Sequence, residues 1–315
     1  MRLAPVVAAS LVVATGAAAV PAVAASSADR PPDGSPDSTA NRAVVTQPTA
    51  EFFDDFAYTD SADPRLAERQ WNVRTGAGGP GVPGASWSAD HVTFPAIDSG
   101  KALQLEASSN GTAEGTTQSE VHHQRKFFEG TYGARVRFTD TPTSGPDGDQ
   151  MVQTFFTITP LDAPNDPDYG EIDFEYLPNG GWGMDQPTMF MTTWETYQPE
   201  PPTSDNLSDT VPGSQQGWHD LVFQVTEGSV RYYLDGDLVA EHGGEYYPET
   251  PMSINLNHWF IDGGLVDSAE ERSYVEQVDW VYHTKDENVA PDQVPQRVQA
   301  FRADNVEFHD TVPAP

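Results

Sequence analysis

The chain has 315 residues, with 48 Asp plus Glu against 16 Lys plus Arg and a formal charge of −32 at pH 7. So acidic a surface repels nucleic acid and anionic membranes, and three lysines (Lys101, Lys126, Lys285) leave little to build a basic cleft for charged polymers. The absence of Cys excludes disulfides, thiol catalysis and thiolate metal sites, while 7 Trp, 11 Tyr and 15 Phe supply ample aromatic area for a core.

In chain order, Met1-Arg2 is a short positive start, and Leu3 to Val20 is nearly all Ala, Val, Leu and Gly. The small-residue site Ala22-Val23-Ala24 then marks residues 1–24 as an export signal and the protein as secreted, with no membrane attachment after cleavage. Pro5, Pro21 and weak hydrophobicity argue against an uncleaved anchor. Residues 25–50 are rich in Ser, Pro, Ala and Asp without apolar period, which reads as a disordered linker. From residue 51 to 285 short runs of β-branched and aromatic residues alternate with Gly, Pro and Asp clusters. They include HVTF (91–94), ALQLEA (102–107), GTYGARVRF (130–138), MVQTFFTI (151–158), EIDFEY (171–176), TMFMTTW (188–194), HDLVFQV (219–225), SVRYYL (229–234), MSINLNHWF (252–260) and VEQVDWVYH (275–283). No amphipathic helix separates them, so one all-β domain, an antiparallel sandwich, is expected. Asp235-Gly236 marks a hairpin turn. In the tail (286–315), Val294, Val298 and Phe301 at i, i+4, i+7 predict a short helix after Pro291, an extension packed on the domain.

The informative run is Glu171-Ile172-Asp173-Phe174-Glu175-Tyr176. In a strand the three acids share one face and the three apolar residues the other. Aligned like charges are costly, so either the face is solvated or something uses them. The functional alternative is glycoside hydrolysis, where a retaining mechanism needs two carboxyl groups about 5–5.5 Å apart. Cα atoms four residues apart on a strand are about 13 Å apart, so both Glu side chains must lean inward. Asp173 between them can keep the two Glu in different protonation states. The eight His form no HExxH or tight cluster, and no cofactor is expected for catalysis.

With its Glu-x-Asp-x-Glu motif the sequence resembles the family 16 glycoside hydrolases, retaining endo-enzymes on a β jelly roll, in the unbulged form found in lichenases and xyloglucan transglycosylases. EFFDDF (51–56), SWSADHVTF (86–94), QSEVHHQRKFFEGTYGARVRF (118–138), GWHDLVFQVTEGSVRYYLDGDLV (217–239), NHWF (257–260) and VDWVYHTK (278–285) extend the resemblance over 51–285. It implies a concanavalin A-like sandwich with Glu171 as nucleophile, Asp173 as its assistant and Glu175 as general acid/base. It also implies sugar contacts at Glu120, Asn257 and Trp259. His122 stands where relatives often carry Arg, and Tyr169 where lichenases often carry Trp. Trp182, in the Gly-rich stretch 177–186, and Trp194, at the head of a Pro-rich excursion (194–206), are candidate sugar-facing residues; RTGAGGPGVPGAS (74–86) reads as a flexible substrate loop. Core or loop packing is the alternative for each aromatic, and a solvated or strand-capping role for Glu120. Relatives often hold a structural calcium through an Asp near the last strand, which Asp279 would match, with an ordinary edge Asp as the alternative. The implied function is cleavage of a neutral β-glucan by a monomer: 1,3-1,4-mixed-linkage glucan first, 1,3-β-glucan second. A xyloglucan transglycosylase and a non-catalytic carbohydrate-binding jelly roll are the rivals; the latter would have no reason to keep Glu171 and Glu175 together.

Overall fold

The computed structural model describes residues 49–314. The export signal expected at 1–24 and the linker at 25–50, save its last two residues, lie outside the described residues. Fifteen strands and two helices organise the chain: β1 (Glu51–Asp54), α1 (Pro64–Glu68), β2 (Trp71–Val73), β3 (Leu103–Ser109), β4 (Thr117–His123), β5 (Gly130–Phe138), β6 (Met151–Ile158), β7 (Glu171–Leu177), β8 (Thr188–Pro199), β9 (Pro202–Pro212), β10 (Gly217–Thr226), β11 (Ser229–Leu234), β12 (Asp237–Gly243), β13 (Ser253–Phe260), β14 (Arg272–Lys285), α2 (Val294–Ala303) and β15 (Phe308–Asp310), with shorter two-residue strands between β2 and β3. Among the described residues no helix is long and apolar enough to cross a membrane.

The first sheet runs β2–β4–β13–β6–β7–β8–β9, antiparallel throughout. In the second, the long β14 takes β5 along one edge and both β1 and β3 along the other, and β5 continues to β10, β11 and β12. A single pair, Ser108 with Thr117, joins the sheets through β3 and β4. The result is a β jelly-roll sandwich.

The alternation in the sequence explains how the layers meet. Ile172, Phe174 and Tyr176 are fully buried, and Phe174 packs on Phe223 and Tyr232 of the facing sheet at ring-centroid distances of 6.5 and 5.3 Å. Phe155 and Tyr132 close on the same Phe223 at 5.4 and 4.6 Å. This burial fixes the register of β7, because a slip of one residue would carry three carboxylates into the core.

The Asp235-Gly236 turn joins β11 to β12 as expected, with φ of 52° and 89° at its two residues, the positive values a two-residue hairpin requires. The tail helix forms over Val294–Ala303, with Val294 and Val298 buried and Phe301 stacked on Phe53 at 5.0 Å. The extension does more than pack on the domain, since β15 pairs with β1 and completes the edge of the second sheet. The stretch 194–206 is not a loop excursion: β8 and β9 form one long hairpin through it, turning beyond Pro199. The β-branched Thr193 and Thr196 and the aromatic Tyr197 suit a strand, and cross-strand pairing overrides the prolines at its tip.

Candidate active site

Opposed residues of an antiparallel pair share a face, so the register assigns each neighbour of the three acids. On β6, Ile158, Phe156 and Thr154 stand opposite Glu171, Asp173 and Glu175; on β8, Trp194, Thr192 and Phe190 do so. Beyond β6 come Asn255 and Trp259 of β13, the latter opposite Val152, and then His122 and Glu120 of β4, the latter opposite Asn257. Glu120, His122, Trp194, Asn257 and Trp259 thus lie on one face with Glu171, Asp173 and Glu175. That face points away from the core, yet Asp173, Asn255 and Asn257 are at most 4 % exposed, and Phe156 is buried too. Outward residues buried this deeply define a walled groove, not an open sheet. Glu171 and Glu175 remain partly exposed in its floor.

The two glutamates have unlike surroundings. Tyr169 donates its hydroxyl to Glu171 Oε2 at 2.5 Å, and Asp173 also hydrogen-bonds Glu171. Burial pushes Glu171 up to about 7 despite these two bonds, which favour its ionised form. Among the described residues no hydrogen bond offsets the burial of Glu175, which is pushed up to about 8 by that burial and by the charge of Glu171. Asp173 is raised well above the carboxylate range by burial and by both glutamates, against a hydrogen bond from Trp194 Nε1 to its Oδ2 at 2.9 Å. The floor therefore holds protons near neutrality, with Glu171 the more readily ionised of the two glutamates.

Four aromatic residues differ from a simple sugar platform. Tyr169 is 7 % exposed and serves as a hydrogen-bond donor to Glu171. Trp194 gives its indole N–H to Asp173, and the register shift between Trp194 and Thr196 is a bulge of the kind that re-aims a side chain beside a site. Trp259 is 9 % exposed within a cluster that includes Trp87, Val152 and Phe190. Trp182, in the turn after β7, stands at φ 50° with its ring 5.3 Å from Phe190 and 6.1 Å from Trp259, so it joins this wall.

At the far side of the groove, Glu120 accepts from Arg74 Nη1 at 2.8 Å and lies 3.2 Å from His122 Nδ1; His122 Nε2 meets Asn72 Nδ2 at 3.0 Å. Burial raises Glu120, but the bond from His122 and the charge of Arg74 outweigh it and hold the carboxyl below its usual range. Arg74 also donates to Gly79 O and lies 4.1 Å from the Trp87 ring, whose indole N–H bonds Gly78 O at 2.7 Å. The Gly-rich stretch 74–86 is thereby tied to the groove wall. Arg74, Trp87, Asn72 and Phe156 escape sequence reasoning; only the alternation of β6 could have pointed to Phe156.

Asp279 lies away from this groove, and calcium does not fit there. Arg302 donates to both its carboxylate oxygens, at 2.7 and 3.2 Å, and Ser99 Oγ donates at 2.8 Å. A guanidinium occupies the position a cation would need, and among the described residues no group of three or more His, Asp or Glu could hold a metal.

Comparison with known proteins agrees with this architecture. The family model described as Glycosyl hydrolases family 16 matches residues 84–282. An endo-1,3-1,4-beta-glycanase, ExoK, of Rhizobium meliloti (strain 1021) is 29 % identical over 242 residues, covering 74 % of this chain and 78 % of its own. Among solved structures, a beta-glucanase of Bacillus licheniformis superposes with a TM-score of 0.56 at 19 % identity, covering 76 % of this chain and 100 % of its own. A family 16 endo-glucanase of Bacteroides ovatus gives 0.55 at 16 %, covering 73 % and 98 %. At these identities the two structures speak for the fold alone.

Proposed function

Since the chain belongs to family 16 of the glycosyl hydrolases, and so hydrolyses O-glycosyl bonds of a polysaccharide, we propose that it is a secreted, retaining endo-β-glucanase with Glu171 as nucleophile and Glu175 as general acid/base. The observation that carries the assignment is the unequal setting of the two glutamates. Glu171 has two hydrogen-bond donors that favour a carboxylate, and Glu175 has none and keeps its proton to higher pH. An acid and a base set apart by environment is the arrangement double displacement needs. Glu175 protonates the leaving oxygen while Glu171 attacks the anomeric carbon, forming a glycosyl–enzyme ester. Glu175 then removes a proton from water, which releases the sugar and restores Glu171. Asp173 keeps its own proton and hydrogen-bonds Glu171, spreading the charge that returns there.

Mixed-linkage 1,3-1,4-β-glucan is the proposed substrate, on the strength of the unbulged motif and the name of the Rhizobium relative. A neutral polymer also suits a molecule at −32. The test is reducing-end release from mixed-linkage glucan, laminarin and xyloglucan by the parent and by Glu171→Gln, with the anomer of the first product read by proton NMR. Release from mixed-linkage glucan as the β-anomer, lost in the variant, is expected. An α-anomer would refute retention, full activity in Glu171→Gln would refute the nucleophile, and preference for laminarin or xyloglucan would refute the substrate.

A further inference from the structure

The outer face of the second sheet, with the core between it and the acidic groove, carries a row of flat polar side chains that the catalytic site does not use. Trp218, Arg137, Gln277 and Gln104 stand opposite one another in turn on β10, β5, β14 and β3. Arg137 Nη1 donates to Gln277 Oε1 at 3.1 Å, and Gln277 Nε2 donates to Gln104 Oε1 at 2.9 Å. Three strand spacings make this row about 14 Å long, enough for a short stretch of oligosaccharide. Beside it Arg135 bonds Asp220 at 2.7 Å with its guanidinium 5.8 Å from the Trp218 ring, and the Arg302–Asp279 pair stands at the edge formed by α2. All of these residues except Gln104 line a cavity of about 650 Å³.

The charge of this cavity sets it apart from the rest of the surface. Arg135, Arg137 and Arg302 meet Asp98, Asp220 and Asp279, an even balance on a protein at −32. Arg137 is exposed and its bond runs to a carboxamide, so its donors are not consumed by a carboxylate. Indole, guanidinium and carboxamide groups present planes and paired donors and acceptors, which suit the apolar faces and hydroxyl rims of pyranose rings. Local neutrality favours an uncharged partner over a polyanion or a basic protein. We propose that this face is a second glycan-binding site that holds a neutral β-glucan chain along the Trp218–Gln104 row while the opposite face cuts. The inference rests on the reading of a glucan polymer as substrate. Two sites on one rigid body raise the effective concentration of polymer at the groove without new contacts there.

The test is affinity electrophoresis in native gels with and without 1,3-1,4-β-glucan. It compares Trp218→Ala and Arg137→Ala with the parent, all carrying Glu171→Gln so that the gel polymer stays intact. In parallel, the active forms are assayed on a short soluble mixed-linkage oligosaccharide. Trp218→Ala should weaken retardation about fivefold, the loss expected for an aromatic contact, and Arg137→Ala about twofold, with oligosaccharide turnover unchanged in both. Equal retardation of parent and both variants overturns the proposal. If Trp218→Ala fails to fold, the exposed Arg137 decides alone. If the parent hydrolyses nothing while retardation still depends on Trp218, the catalytic reading falls and this site stands.

Discussion

Removing one oxygen from Tyr169 tests the asymmetry on which the catalytic assignment depends. The phenol donates to Glu171 Oε2 and favours its ionised form. A hydrogen bond to a charged group contributes about 1.5–3 kcal/mol, and about 1.4 kcal/mol corresponds to one pKa unit, so Tyr169→Phe should raise Glu171 by about one to two units. The proposed mechanism needs Glu171 ionised and Glu175 protonated, which makes the profile of kcat/KM bell-shaped, with limbs set by about 7 and about 8 and a maximum between them. Raising the first value brings the limbs together and then past each other. The share of enzyme in the working state at the optimum then falls about two- to tenfold. The assay is initial rate on a soluble mixed-linkage oligosaccharide from pH 5 to 10. An acid limb displaced upward by about one unit is expected. A lower rate with an unmoved acid limb would refute the reasoning and leave Tyr169 as packing alone.

Arg74→Ala should raise KM several-fold with kcat little changed, since it removes a partner of Glu120 some distance along the groove from the reacting carboxyls; steady-state kinetics on an oligosaccharide long enough to span the groove reads the split. The Arg272–Asp149 pair is fully buried, with two bonds of 2.7 Å between the partners and the guanidinium also holding Val266 O, Ser268 O and Glu270 O. Arg272→Met alone should cost about 3–5 kcal/mol in urea unfolding, and adding Asp149→Leu should recover much of it, because the lone buried carboxylate is what destabilises. Glu276 is fully buried and, among the described residues, accepts only from Thr154 N at 3.3 Å and leaves Oε1 without a partner; burial raises it well above the carboxylate range. A raised acid contributes stability that is present below its unfolded pKa and lost as pH rises through its folded value. Glu276→Gln should therefore flatten the decline of the urea midpoint between pH 5 and 9 by up to one proton's worth, about 1.4 kcal/mol per pH unit.

The strands that can be read from the sequence are compact runs of β-branched and aromatic residues bounded by turn residues. GTYGARVRF and MVQTFFTI occupy β5 and β6 with the bounds their composition indicates, and SVRYYL occupies β11. Here burial of β-branched and aromatic residues decides the conformation locally. Where partners decide it, composition misleads. The Pro-rich stretch after Trp194 is strand because β9 pairs with it, and the last three-residue strand exists because β1 offers an open edge. Those partners are distant in sequence or chemically unremarkable, so no local pattern announces them.

The same division runs through the site. Glu171, Asp173 and Glu175 are legible because one strand carries all three, and alternation alone puts them on a face. Glu120 and His122 follow the same rule on β4, but what stabilises Glu120 does not. Its guanidinium comes from Arg74, which lies 46 residues away in sequence and reaches across from the end of β2. His122, standing where relatives often carry Arg, leaves Glu120 in need of a permanent cation, and His122 and Arg74 together hold that carboxyl ionised where burial would neutralise it. Asp279 gives the converse case. The position suits a cation and a cation group is present, but it is the Arg302 guanidinium, delivered by a helix whose sequence shows a weak apolar stripe and no sign of its target. In both places the sequence shows which residues are charged, and only the pairing of strands and the docking of α2 decide which charges meet.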